Sequence, residues 1–132
     1  MDKSWSWISS EFIALTLIIV AAFCNVSVFY SFYHYLETID VPIGWRGFLL
    51  GLEPMAAFIL RLFILPWLHV RNAIAVTMAS LVLLVAVSCS YIWALSVPAL
   101  IVIRILHGAS FVLLTSGVIS LVVFLAFGLR YA

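Results

Sequence analysis

Four stretches of this sequence are each long and apolar enough to cross a lipid bilayer. A membrane-spanning helix needs about 20 mostly apolar residues, because each residue adds about 1.5 Å and the hydrocarbon core is about 30 Å thick. The predicted spans cover residues 9–36, 45–68, 73–95 and 98–124. The sequence therefore predicts an all-α membrane protein with four transmembrane helices, in which residues 1–132 form a single helical domain.

The composition excludes the common soluble classes of protein. The chain is 67% hydrophobic and only 8% charged, and a small soluble domain cannot hide that much apolar surface from water. A secreted or cytosolic enzyme and a nucleic-acid binder are excluded on this ground. Cys24 and Cys89 both lie in apolar runs, which argues against a disulfide framework. No residue spacing resembles a metal site, a nucleophile with its base or a phosphate loop, so we expect no enzyme, metal or cofactor.

Basic residues near the span ends predict the orientation. Lys3, Arg71 and Arg130 fall on one side of the predicted bundle and Arg46 on the other. Because Lys and Arg favour the cytoplasmic side of short loops, we expect both termini in the cytoplasm of a plasma (inner) membrane protein. All the tryptophans fall at predicted helix ends, where indole rings prefer the headgroup region: Trp5, Trp7, Trp45, Trp67 and Trp93.

Charged side chains inside the predicted spans are functional candidates, because lipid makes them costly. Glu53 of the second span and Arg104 of the fourth lie at similar depths, so we predict that they pair, directly or through water. Such a pair could handle a proton or a solute, or it could only fix the register of the helices. Arg61 lies closer to the cytoplasmic end and can extend toward phosphates.

Small residues predict where helices pack closely. Gly47 and Gly51 form a GxxxG spacing in the second span, and Gly108 lies one turn after Arg104. Glycines let another helix approach, so we interpret all three as helix-packing positions. Pro54 removes a backbone hydrogen bond near the middle of the second span.

Polar residues on the first and fourth spans are candidates for lining a cavity. On a helical wheel Ser27 and Ser31 share one face of the first span within about 60°, and Asn25 points the opposite way. In the fourth span Thr115 shares a face with Arg104. Packing within the helix is an alternative role for such hydroxyls. The cavity-lining candidates are Ser27, Ser31, Asn25, His107 and Thr115.

The fourth span resembles a motif of major facilitator superfamily transporters, roughly L-x-x-x-R-x-x-Q-G followed by small residues. Leu100, Arg104 and Gly108 match, and His107 stands where glutamine is commonest. The resemblance implies that Arg104 takes part in proton coupling, and the depth argument above makes Glu53 its predicted partner. It also implies that the four helices correspond to the start of the family's amino-terminal six-helix half.

The connection between the second and third spans departs from the family's pattern. The family usually has G-x-L-A-D-R-x-G-R-R there, whereas this chain keeps one basic residue and has neither the aspartate nor the glycines. We interpret His69, Arg71 and Asn72 as a degenerate cytoplasmic gating loop. Because such transporters contain two six-helix halves, we expect this chain to be an amino-terminal fragment. Its partners would be the lipid bilayer, a small solute, and either the remaining helices or other copies of the chain, without nucleic acid.

Three functional hypotheses follow. The resemblance favours part of a secondary active transporter for a small solute, coupled to protons. A complete four-helix exporter acting as a dimer, similar to the small multidrug resistance family, stays open if Glu53 replaces that family's first-helix glutamate. A non-transporting accessory subunit also stays open, with the GxxxG face and the fourth span as docking surfaces.

Overall fold

The protein is all-helical in a computed structural model that describes residues 10–64, 66 and 70–128. The first span consists of α1 (Ser10–Val28), a 3₁₀ turn (Phe29–Ser31) and α2 (Phe32–Thr38); the second is α3 (Ile43–Ile64); the third consists of α4 (Val70–Ser90) and a 3₁₀ turn (Tyr91–Trp93); the fourth is α5 (Val97–Gly128). Each span is long and apolar enough to cross a membrane. The prediction of four spans is confirmed, and the chain has the architecture of an integral, multi-pass membrane protein.

The start of the third span differs from the prediction. Helix α4 begins at Val70, so Arg71 and Asn72 lie in its first turn and not in the predicted loop. The loop interpretation is therefore wrong for these two residues. They form part of the first turn of the helix, and the apolar run that follows continues it. His69, the other residue assigned to this loop, lies outside the described residues.

Helix α5 is the centre of the bundle and contacts the other three spans. It packs most extensively against α3 and α4. A Cβ atom added at Gly117 of α5 would lie 2.5 Å from Thr77 Oγ1 and 3.4 Å from the carbonyl oxygen of Ala73, both in α4. The absence of a side chain at Gly117 therefore lets α4 and α5 touch.

The outer surface of the bundle is apolar. Many large apolar side chains are exposed on every span, among them Leu17, Val28, Phe63, Val82 and Phe124. In water such a surface would be an aggregation hazard. Against lipid chains it costs nothing, so this exposure is what a bundle in a bilayer requires.

The connection between the first and second spans is held by an arginine. Arg46 Nη1 lies 2.9 Å from Glu37 Oε1, and Arg46 Nε donates to the carbonyl oxygen of Val41 at 2.8 Å. Asp40 turns the chain with a φ of 54°, a left-handed conformation that aspartate tolerates better than most residues. Arg46 therefore fixes this turn, and with it the angle at which α3 starts.

Two apolar clusters fill the interior, and polar side chains lie between them. One cluster contains Leu36, Leu49 and Leu100, and the other contains Leu84 and Leu114. Along α5 the polar residues Arg104 and His107 fall between Leu100 and Leu114, and both are buried. The fold therefore encloses a polar centre in an otherwise apolar bundle.

Candidate functional site: a buried polar centre

A buried ion pair joins the second and fourth spans. Arg104 Nη1 lies 2.6 Å from Glu53 Oε2, and the two side chains are only 3% and 10% exposed. The contact is a close ion pair between a buried carboxylate and a buried guanidinium. The direct Glu53–Arg104 contact predicted from the sequence is present, while its role in proton coupling stays a prediction.

Arg104 is anchored by more than its carboxylate partner. Its Nε donates to the carbonyl oxygen of Leu49 at 3.1 Å and its Nη2 to that of Leu50 at 3.2 Å. The guanidinium carbon also lies 4.4 Å from the ring centre of Phe32 and 5.5 Å from that of Phe29. Backbone dipoles and aromatic faces both favour a cation, so the positive charge is stabilised from three sides.

The close approach of α5 to α3 depends on Gly108. A Cβ atom at this position would lie 2.5 Å from the carbonyl oxygen of Glu53 and 3.2 Å from the backbone nitrogen of Ala57. Arg104 lies one turn before Gly108 on α5, and Leu49 and Leu50 lie one turn before Glu53 on α3. The backbone contact between Gly108 and Glu53 therefore brings the guanidinium to the carbonyl groups of Leu49 and Leu50. Gly108, predicted as a helix-packing position, therefore lies where the backbones of α3 and α5 come together.

The GxxxG pair makes no close helix contact among the described residues, and its packing role toward another helix stays a prediction. A Cβ atom at Gly47 or Gly51 would meet none of the described atoms within 4 Å, and both glycines are exposed. The inward face of α3 instead carries Leu49, Leu52 and Glu53. Residue spacing shows which positions share a face, but it does not show which face turns inward.

A chain of hydrogen bonds lies beside the ion pair and joins the other two spans to α5. His107 Nδ1 lies 3.3 Å from the hydroxyl of Tyr91, and His107 Nε2 lies 3.0 Å from Asn25 Oδ1. Asn25 Nδ2 donates to Ser88 Oγ at 3.0 Å, and Ser88 donates to the carbonyl oxygen of Leu84 at 2.8 Å. We call Tyr91, His107, Asn25 and Ser88 the polar chain.

One protonation pattern satisfies the whole polar chain. With the proton on His107 Nε2, the ring donates to Asn25 Oδ1 and its free Nδ1 accepts from the Tyr91 hydroxyl. Every donor then points the same way, from Tyr91 through His107 and Asn25 to Ser88. This tautomer is assigned from the network, and it makes His107 a neutral residue in the resting arrangement.

Phe29 connects the ion pair to the polar chain. Its ring centre lies 4.6 Å from the imidazole of His107 and 4.9 Å from the ring of Tyr91, and it also lies beside the Arg104 guanidinium. Phe29 begins the 3₁₀ turn that interrupts the first span. Such a turn within a helix is a place where the two halves can reorient, so the break lies directly against the polar centre.

The remaining cavity-lining candidates lie apart from the polar centre. Ser27 is exposed and donates to the carbonyl oxygen of Phe23 at 2.9 Å, and buried Thr115 donates to that of Phe111 at 2.9 Å. Ser31 is exposed at the edge of an open groove of about 280 Å³. The lining role of all three stays a prediction; Asn25 and His107 are the candidates that the structure brings together.

The groove leads from the surface to the polar chain. It lies between the first and third spans, and its lining includes Ser88 and Tyr91, which belong to the polar chain. The full lining is Val28, Phe29, Ser31, Phe32, Tyr35, Ser88 and Tyr91. The polar centre is therefore buried, yet two of its hydroxyl-bearing residues border an opening.

Sequence reasoning missed several parts of this centre. Tyr91 and Ser88 lie among apolar residues with no pattern that marks them, and the carbonyl groups of Leu49 and Leu50 carry no signature in a side chain. One signal existed for Leu50: a proline four residues later leaves its carbonyl without a helical donor.

Comparison with protein-family models, with curated proteins and with solved structures finds no match to this chain. The resemblance to major facilitator superfamily transporters therefore rests on the fourth-span residues alone.

Proposed function

We propose that this chain forms part of a secondary active transporter that moves a small solute across the plasma (inner) membrane with proton coupling, in the manner of the major facilitator superfamily. Both termini would lie in the cytoplasm. The observation that carries the proposal is the Glu53–Arg104 pair, buried in the bundle at 2.6 Å and joining two spans.

An ion pair inside a membrane bundle has two chemically distinct states. With Glu53 ionised, the carboxylate and the guanidinium attract one another and hold α3 against α5. A proton added to the carboxylate makes Glu53 neutral, while Arg104 keeps its charge. Since the attraction between two charges in a medium of low polarity is strong, the proton changes the free energy that joins these two helices.

The polar chain gives this change a route to the rest of the bundle. It includes Asn25 of the first span and Ser88 and Tyr91 of the third. Asn25 and Tyr91 contact His107 of α5 directly, and Ser88 is joined to His107 through Asn25. His107 follows Arg104 by three residues, so the two side chains are neighbours on α5. A change in the attraction between Glu53 and Arg104 therefore occurs next to the hydrogen bonds of the polar chain. Together the ion pair and the polar chain connect all four spans, and coupling a proton to a helix movement requires such a connection.

Substitution of Arg104 separates this proposal from its alternatives. We expect Arg104→Ala and Arg104→Lys to abolish solute flux in native membrane vesicles while the chain still inserts. Alanine has no donor, and the compact ammonium of lysine does not reproduce the planar fork by which Arg104 reaches Glu53 and two carbonyl groups. Arg61→Ala is the matched control, since Arg61 is an exposed arginine of α3, the helix that carries Glu53. Loss of a co-purifying partner without any change in flux would overturn transport and favour an accessory subunit.

A further inference from the structure

A proline lies in the middle of α3, directly after the turn that faces Arg104. Helix α3 continues through Pro54 without interruption from Ile43 to Ile64. In a regular helix the N–H of residue 54 would donate to the carbonyl oxygen of residue 50, but proline has no N–H. The carbonyl group of Leu50 is therefore left without its helical donor inside a membrane span.

Arg104 supplies the missing donor from another helix. Its Nη2 donates to the carbonyl oxygen of Leu50 at 3.2 Å. A backbone carbonyl left without a partner in lipid costs several kcal/mol, and a hydrogen bond from a charged donor is stronger than the amide bond it replaces. Pro54 thus creates an acceptor, and Arg104 is the cation that occupies it.

We propose that Pro54 is a positioning residue for Arg104: it reserves the Leu50 carbonyl for Nη2 and so fixes the guanidinium in place independently of Glu53. The inference deepens the proposed function, on which its part in proton coupling rests.

This arrangement divides the roles of the two charged residues. Arg104 has two carbonyl acceptors and two aromatic rings besides its carboxylate partner, whereas the ion pair described for the Glu53 side chain is the one with Arg104. When a proton neutralises Glu53, Arg104 therefore stays where it is and the glutamic acid is released. Glu53 is the mobile member of the pair and Arg104 the fixed one.

The test is the mobility of the Arg104 guanidinium, measured by nitrogen-15 NMR of arginine-labelled chain in lipid nanodiscs. The Arg104 signals are assigned as those lost in Arg104→Lys. In Pro54→Ala the new N–H competes for the Leu50 carbonyl, and we expect rotation of the Nη2 group to become faster by about tenfold, which corresponds to loss of one hydrogen bond to a charged group. Restoring a helical bond favours folding, so this variant is expected to fold.

Two further variants complete the test. Pro98→Ala is the matched control, because Pro98 lies in the first turn of α5, where an N–H has no helical acceptor in any case; it should leave the Arg104 signals unchanged. Glu53→Gln should also leave Nη2 rotation slow.

The inference is overturned if Pro54→Ala leaves Arg104 rotation unaltered, if Pro98→Ala changes it as much, or if Glu53→Gln alone releases the guanidinium. None of these readouts requires a transported solute. If the Arg104 variants leave solute flux unchanged while the NMR result is as expected, the proposed function is overturned and the positioning role of Pro54 still holds.

Discussion

Glu53 and Arg104 form a pair whose two members are not equivalent. The guanidinium is held by backbone carbonyls and aromatic rings as well as by the carboxylate, while the ion pair described for the carboxylate is the one with the guanidinium. Removing one partner of a buried ion pair leaves the other uncompensated. The cost of each removal therefore depends on what the remaining residue still contacts.

We expect Arg104→Gln to destabilise the bundle by about 3–5 kcal/mol, because Glu53 is left with a buried, unpaired charge. Glu53→Gln should cost markedly less, since Arg104 keeps Leu49, Leu50 and Phe32. The measurement is the free energy of unfolding in mixed detergent micelles, with each variant compared at the same pH. A larger loss for Glu53→Gln than for Arg104→Gln would contradict the asymmetry.

The polar chain makes a second prediction at the residue scale. We expect Asn25→Ala and His107→Ala to destabilise the bundle by about 1–2 kcal/mol each, and the double variant by less than the sum, because the two side chains share one hydrogen bond. Ser27→Ala on the same helix is the control and should have almost no effect, as its hydroxyl bonds only its own helix. Additive effects of the two substitutions would mean that the Asn25–His107 bond is absent.

The crossing of α3 and α5 is set by a single glycine. Gly108 has no room for a Cβ atom against the backbone of Glu53, whereas Gly51 has open space around it among the described residues. The two glycines therefore respond differently to the same added methyl group, although both lie in apolar helices.

We expect Gly108→Ala to destabilise the bundle by about 1–3 kcal/mol, because the methyl group meets backbone atoms and the helices must separate. Gly51→Ala should be neutral or stabilising by up to about 1 kcal/mol, as alanine favours helix. Unfolding in mixed micelles measures both. Equal losses would show that α3 and α5 do not cross at Gly108.

The position and number of the helices were predictable from the sequence, because a lipid bilayer requires each span to be long and apolar. Hydropathy gave the four spans, and similar depth in parallel helices gave the contact of Glu53 with Arg104. The inward faces were not predictable, because lipid is as apolar as leucine and does not distinguish a packed face from an exposed one. Gly47 was assigned to the interior for this reason, and the 3₁₀ turn at Phe29 was missed because the sequence has neither glycine nor proline there.

At the scale of the whole molecule, the predicted orientation puts each connection between spans on a defined side of the membrane. Exposed Pro66 lies between the second and third spans, and exposed Ser96 lies between the third and fourth. In a chain whose own Cys24 and Cys89 are replaced by serine, we expect a membrane-impermeant maleimide to label Ser96→Cys in intact cells. Pro66→Cys should react only after permeabilisation, since the distribution of basic residues predicts a cytoplasmic position for that connection. The reverse pattern would contradict the orientation.

The central claim is that the buried pair exchanges a proton as a solute moves, and the most direct measurement is solute-dependent proton flux. Vesicles of the native membrane, in which the chain is present with the remaining helices or other copies that complete the transporter, are given a pH gradient. The gradient is followed with an internal pH dye, and the vesicles are challenged with a panel of labelled organic cations, sugars and amino acids. We expect at least one solute to dissipate the gradient with the unsubstituted chain and to have no such effect with Glu53→Gln. Full dissipation with Glu53→Gln, or none by any solute with the unsubstituted chain, would contradict the account.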